Sequence, residues 1–182
     1  MCPYLMRCDT PMSQLLFQQI CTALDHLHKQ TAAGDETALV VWVIPGTLAC
    51  AYRPLQHHPE FGRWRSLPPT ARPWVVQWVE HIKHLGIQSI LCLLPEALLV
   101  RYYVEGGLDL HPQGLLGYYA AQGLRVHHCP VGGRCLGLGD ILPQLLTVFD
   151  ALPKPILLHC GSARSYLPVV AAFLAEHRGE SK

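Results

Sequence analysis

Cys160 closes an apolar run, Ile156-Leu157-Leu158-His159, and is followed by small and basic residues, Gly161-Ser162-Ala163-Arg164-Ser165, before a helical pattern resumes. A strand that delivers a cysteine into such a loop places it at the carboxyl edge of a sheet, where ligands bind in open α/β folds. Gly161, Ser162 and Ala163 are small enough for successive backbone N–H groups to curl around an anion. The helix that follows turns its positive end toward the same place. That field, with a nearby guanidinium, favours the thiolate, which is the nucleophilic form of sulfur. Arg164 could clamp phosphate or sulfate oxygens through paired hydrogen bonds. The same residues could equally end a buried strand in a plain turn.

The elements that would carry this loop are legible as hydrophobic periods. Leu16, Ile20, Leu24 and Leu27 fall at helical spacing and predict an N-terminal helix over 11–30. The β-branched run "ALVVWVI" (38–44) predicts a buried strand ended by Pro45-Gly46. "TARPWVVQWVEHIKHLG" predicts a helix with Thr70 as its cap and Gly86 as its stop. "IQSILCLL" reads as a second buried strand, "PEALLVRYYV" and "PQGLLGYYAAQG" as short helices, and "LRVHHC" as a third strand. Asp140 is placed to cap a helix over "ILPQLLTVF", and "ILLH" is the strand that leads to Cys160. Strands alternating with helices predict an α/β fold, a single domain with a central, mostly parallel sheet flanked by helices. Residues 1–35 read as an N-terminal helical extension and 36–182 as the α/β domain.

With His159-Cys160, a short loop, Arg164 and Ser165, the chain resembles the dual-specificity and protein tyrosine phosphatases. Their signature is His-Cys, five residues, then Arg and Ser or Thr. The resemblance runs over roughly residues 42–178. "VIPGTLACAYRP" is similar to the entry of the small dual-specificity enzymes, "WVVQWVEHIKHLGIQSILCLL" to their helix and following strand, and "YYAAQGLRVHHCPV" to the approach to their acid loop. It implies a dual-specificity phosphatase-like fold and hydrolysis of phosphomonoesters through a phosphocysteine on Cys160, without metal or cofactor. Gly161, Ser162, Ala163 and Arg164 would bind phosphate, Ser165 would assist release of the thiolate, and His159 would orient the loop. A phosphoprotein or other phosphomonoester would be the partner, with a protein partner as an alternative.

Two departures from the signature carry consequences. Arg164 lies four positions after Cys160, where the family has six. Either the cradle is two residues short, or Tyr166 and Leu167 hold the Arg and Ser/Thr positions. Tyrosine lacks the charged planar fork that grips a phosphoryl group, and a short cradle displaces donors on which phosphoryl transfer depends. The short-loop placement keeps the chemistry-bearing residues together. The family's general acid, an aspartate after "P-V", is replaced by Gly132 and Gly133. Asp140 is the first carboxylate beyond Pro130, and it doubles as a helix cap. Two readings follow: a hydrolase of weak or altered activity, and an inactive phosphatase-like module that binds a phospho-ligand or a protein. A rhodanese-type sulfurtransferase loop stands third.

Composition narrows the rest. Half of the 182 residues are hydrophobic and 15% are charged, which argues for a folded core. A formal net charge of +1 with scattered Lys and Arg offers no stripe for nucleic acid. No apolar run is long enough for a membrane span, and Met1-Cys2-Pro3-Tyr4 lacks a secretory layout, so a cytoplasmic protein with reduced cysteines is expected. His127-His128-Cys129 with Cys135 matches no tetrahedral zinc spacing. Tyr102-Tyr103 and Tyr118-Tyr119 could line a groove or simply pack, and Arg53 and Arg134 could meet an anionic substrate or be ordinary exposed loop arginines.

Overall fold

The computed structural model describes residues 11–35, 40–62, 66–110, 114–131, 138–161, 169–170 and 173, with the backbone alone at 11–17, 24 and 138–142. Helix α1 (Pro11–Ala32) leads into strands β1 (Val41–Ile44) and β2 (Leu48–Tyr52). A 3-10 turn at Pro69–Ala71 opens α2 (Arg72–His84), which is followed by β3 (Ser89–Cys92), α3 (Glu96–Tyr103) and α4 (Gly114–Ala121). Strand β4 (Arg125–His128), α5 (Leu138–Ala151) and β5 (Ile156–Cys160) complete the described strands and numbered helices. The sheet order is β1-β2-β5-β3-β4, with β1 antiparallel to β2 and the other neighbours parallel. The expected mostly parallel α/β sheet is therefore present.

Three sequence expectations need correction, and the first is the cap of α2: Thr70 lies inside the 3-10 turn, and the N-cap is Ala71, which makes no side-chain cap hydrogen bond. Pro45-Gly46 does not simply end a strand. Thr47 N–H donates to Ile44 O at 3.0 Å and Gly46 has φ +69°, so Pro and Gly occupy the central positions of a tight turn. That turn folds β2 back on β1. "LACAY" carries no β-branched residue, which is why its pattern did not announce a strand. As a result β1 is an edge strand, half-buried along its length, and not a buried central one. Asp140 is likewise not a helix cap, because α5 already begins at Leu138.

The handedness of the connections distributes the helices. The crossovers from β2 to β3 and from β3 to β4 advance in one direction across the sheet, while β4 to β5 returns. Right-handed crossovers then put α2, α3 and α4 on one face and α5 on the other. Burial agrees. Ala49, Ala51, Ile90, Cys92 and Leu157 pack with Val75, Val79, Ile82, Leu99, Tyr103 and Tyr119. Their alternates Leu48, Cys50, Leu91, Ile156 and Leu158 pack with Leu145, Phe149, Val169, Val170 and Phe173. Ile20 and Leu27 of α1 belong to this second layer, so the N-terminal helix shares the domain's core. Gly86, at φ +83°, ends α2 as a left-handed residue beyond its cap. Among the described residues, no helix is long and apolar enough to cross a membrane.

Candidate functional site

Strand β5 is flanked by neighbours whose connections leave on opposite faces. Beyond β2 and β3 the chain passes to the α2–α4 face, whereas beyond β5 it reaches Val169, Val170 and Phe173 on the α5 face. Such reversals open a crevice at the carboxyl edge of a parallel sheet, and Cys160 is the last residue of the strand between them.

The ends of the neighbouring strands are tied to this point. Tyr52 pairs with Cys160 across the sheet, and Arg53 N–H donates to Cys160 O at 3.0 Å. Gln56 Nε2 donates to Gly161 O at 2.7 Å. On the other side, Leu93 N–H donates to His159 O at 3.0 Å. A Cβ on Gly161 would lie 3.3 Å from Leu94 Cδ2 and 3.8 Å from Gln56 Oε1, so the strand exit is closely enclosed.

Alternation sends His159 and Cys160 to opposite faces. Cys160 is 2% exposed and joins the layer of Cys50, Leu91 and Val169. His159 is fully buried, edge-on to Tyr119 at 5.7 Å and to Trp78 at 6.4 Å between centroids. Neither of its ring nitrogens has a hydrogen-bond partner among the described residues. Burial, with smaller contributions from His128 and Arg53, pulls its pKa down to about 3, so the imidazole is neutral. Beyond it, His128 donates from Nε2 to Leu94 O at 2.6 Å, with Glu96 Oε2 3.6 Å from its other nitrogen.

Among the described residues, Arg53 brings a buried cation to this edge. It is 5% exposed, its guanidinium carbon lies 3.6 Å from the centre of the Tyr102 ring, and it neighbours the Tyr103 hydroxyl. That hydroxyl donates to Pro54 O at 3.0 Å, which pins the same turn. Arg53 Nη1 is buried without a partner among the described residues. An exposed loop arginine at position 53 is ruled out by this burial, and Gln56 carries no signal of its own in the sequence reading. The signal was indirect: once Leu48–Tyr52 is recognised as a strand parallel to β5, Arg53 and Gln56 must emerge beside Cys160.

Ser162, Ala163, Arg164 and Ser165 lie outside the described residues, as do Tyr166, Leu167, Gly132, Gly133 and Arg134. The backbone of Asp140 runs within α5, and its side chain is also outside the described set. Tyr103 and Tyr119 are packing residues, 1% and 0% exposed. Among the described residues no three His, Cys, Asp or Glu side chains gather as metal binding would need. Compared with protein-family models, curated proteins and solved structures, the chain matches none.

Proposed function

We propose that the chain is a cysteine-dependent phosphomonoester hydrolase of the dual-specificity type. The observation that carries this reading is the position of Cys160 at the end of the central strand, between two reversals of connection. Arg53 and Gln56 are fastened to the backbone at Cys160 and Gly161 there. In the proposed reaction the Cys160 thiolate attacks phosphorus. An S–P bond forms as the ester P–O bond breaks, and the departing oxygen takes a proton. Water then adds to phosphorus as the S–P bond breaks, returning thiolate and inorganic phosphate. Arg164, Ser165 and the loop amides would hold the phosphoryl oxygens, with Asp140, the first carboxylate after Pro130, as the candidate acid. Substitution of Gly132 and Gly133 for a loop acid favours leaving groups that depart without a proton, such as aryl oxides.

One observation favours a non-catalytic reading. Cys160 is 2% exposed and packed in an apolar layer, the setting of an inert structural thiol. On that reading the loop binds a phospho-ligand or a protein partner without turnover.

Hydrolysis of p-nitrophenyl phosphate between pH 5 and 8, measured beside Cys160→Ser, separates the two. The hydrolase reading expects turnover that the substitution reduces to background. Equal rates from both proteins would leave the binding module.

A further inference from the structure

Beside the Cys160 edge lies a cavity of about 360 Å³ between the end of α1, the chain after β2, and α2. Its walls include the flat rings of Tyr52, His57, His58, Trp74 and Trp78. The rings brace one another. His58 lies 4.9 Å from Trp74, and His57 is edge-on to Tyr52 at 4.3 Å. His57 also stacks on His28 of α1 at 3.6 Å with planes 20° apart. Backbone N–H groups of Glu60 and Phe61 point to His58 Nδ1 at 3.1 and 3.3 Å, which makes that nitrogen an acceptor and fixes the tautomer.

A second observation points to a ligand. Three buried polar atoms without partners belong to residues that line this cavity: Arg53 Nη1, Gln56 Oε1 and His57 Nε2. They comprise a donor, an acceptor and an imidazole nitrogen that can be either. Unpaired buried polar atoms are costly, and three in residues of one lining mark a place where complementary groups are expected. Asp35 and Glu60 also line the cavity, where they offset the charge of Arg53 on the same lining. What fits is therefore an uncharged planar ring with both acceptor and donor on its edge. The volume falls at the lower end of small-molecule pockets, about 300–1,000 Å³. Arg53 N–H and Gln56 Nε2 bond to the carbonyls of Cys160 and Gly161, so this lining adjoins the sheet edge.

We propose that this cavity binds the heteroaromatic ring of a small monophosphate, a nucleoside monophosphate or its chemical like, with the phosphate directed to the Cys160 edge. The ring site rests on the cavity itself, and only its phosphate end rests on the hydrolase reading above. Adenosine and adenosine 5′-monophosphate serve as probes, read by the tryptophan fluorescence of the full chain, to which Trp74 and Trp78 in the cavity wall contribute. Both should quench emission, the monophosphate binding more tightly. His57→Ala and Trp74→Phe should each weaken both about tenfold, as loss of base stacking does, with circular dichroism unchanged. Cys160→Ser should leave adenosine binding as it was. Adenosine binding without p-nitrophenyl phosphate turnover would uphold the ring site while removing the hydrolase. Turnover without adenosine or monophosphate binding at millimolar concentration would overturn the ring site alone. Binding that neither wall substitution weakens would overturn it too.

Discussion

His159 is a histidine that the fold forces to stay neutral. It sits on the α2–α4 side of β5, walled by Trp78 and Tyr119, with neither nitrogen partnered among the described residues. In the unfolded chain an imidazole takes up its proton near pH 6.5, whereas here protonation waits until about pH 3. The unfolded state therefore binds more protons between those values. Stability is intact above about pH 6.5 and falls as pH drops toward 3, by about 1.4 kcal/mol per pH unit from this residue. His57, lowered to about 4 chiefly by burial, adds a slope of the same sign. Replacing His159 with leucine, an apolar side chain of similar size, should remove its share. Urea denaturation at pH 7 and pH 5 should show the variant losing about 2 kcal/mol less stability than the parent over that interval. Parallel losses would mean that the imidazole gains its proton inside the fold.

At the scale of elements, much was legible because hydrophobic period and punctuation agreed. α2 runs from its early proline to Gly86, and β3 and β5 are continuous apolar runs, as expected of strands covered on both faces. β2 escaped because its small residues, Ala49, Cys50 and Ala51, are chosen for close packing under helices and not for strand propensity. Missing β2 hid the site's neighbours, since only a strand parallel to β5 brings Arg53 and Gln56 to Cys160. Cys160, the candidate nucleophile, was readable from local residues alone. α1 illustrates a different limit: its period predicted a helix, but nothing in it said where the helix packs. Ile20 and Leu27 are 5% and 6% exposed and belong to the layer containing Phe149 and Phe173. Ile20→Ala and Leu27→Ala should each cost about 2–5 kcal/mol. A thermal melt would show this as a fall in Tm of about 2–4 °C per kcal/mol. A helix merely appended to the domain would give changes within about 0.5 kcal/mol.

The whole molecule is two apolar layers separated by one sheet, and each layer contains its own fully buried thiol. Cys92 lies with α2, α3 and α4, and Cys50 with α1 and α5; both are 0% exposed. Burial pushes Cys92 up to about 12 and Cys50 higher still, so both are protonated and shielded in the folded chain. Once exposed, a thiol returns to about 8.5 and reacts readily at pH 8. The two cysteines therefore report separately on the opening of the two faces. Because β2, β5 and β3 contribute alternate residues to both layers, loss of either layer strips one side of every central strand. Cooperative unfolding is expected for that reason. Alkylation at pH 8 in increasing urea, followed peptide by peptide, should give Cys50 and Cys92 the same midpoint and slope. Earlier labelling of Cys50 would show that the α1–α5 layer opens by itself. In that event Cys160, which packs in the same layer, would become accessible without global unfolding.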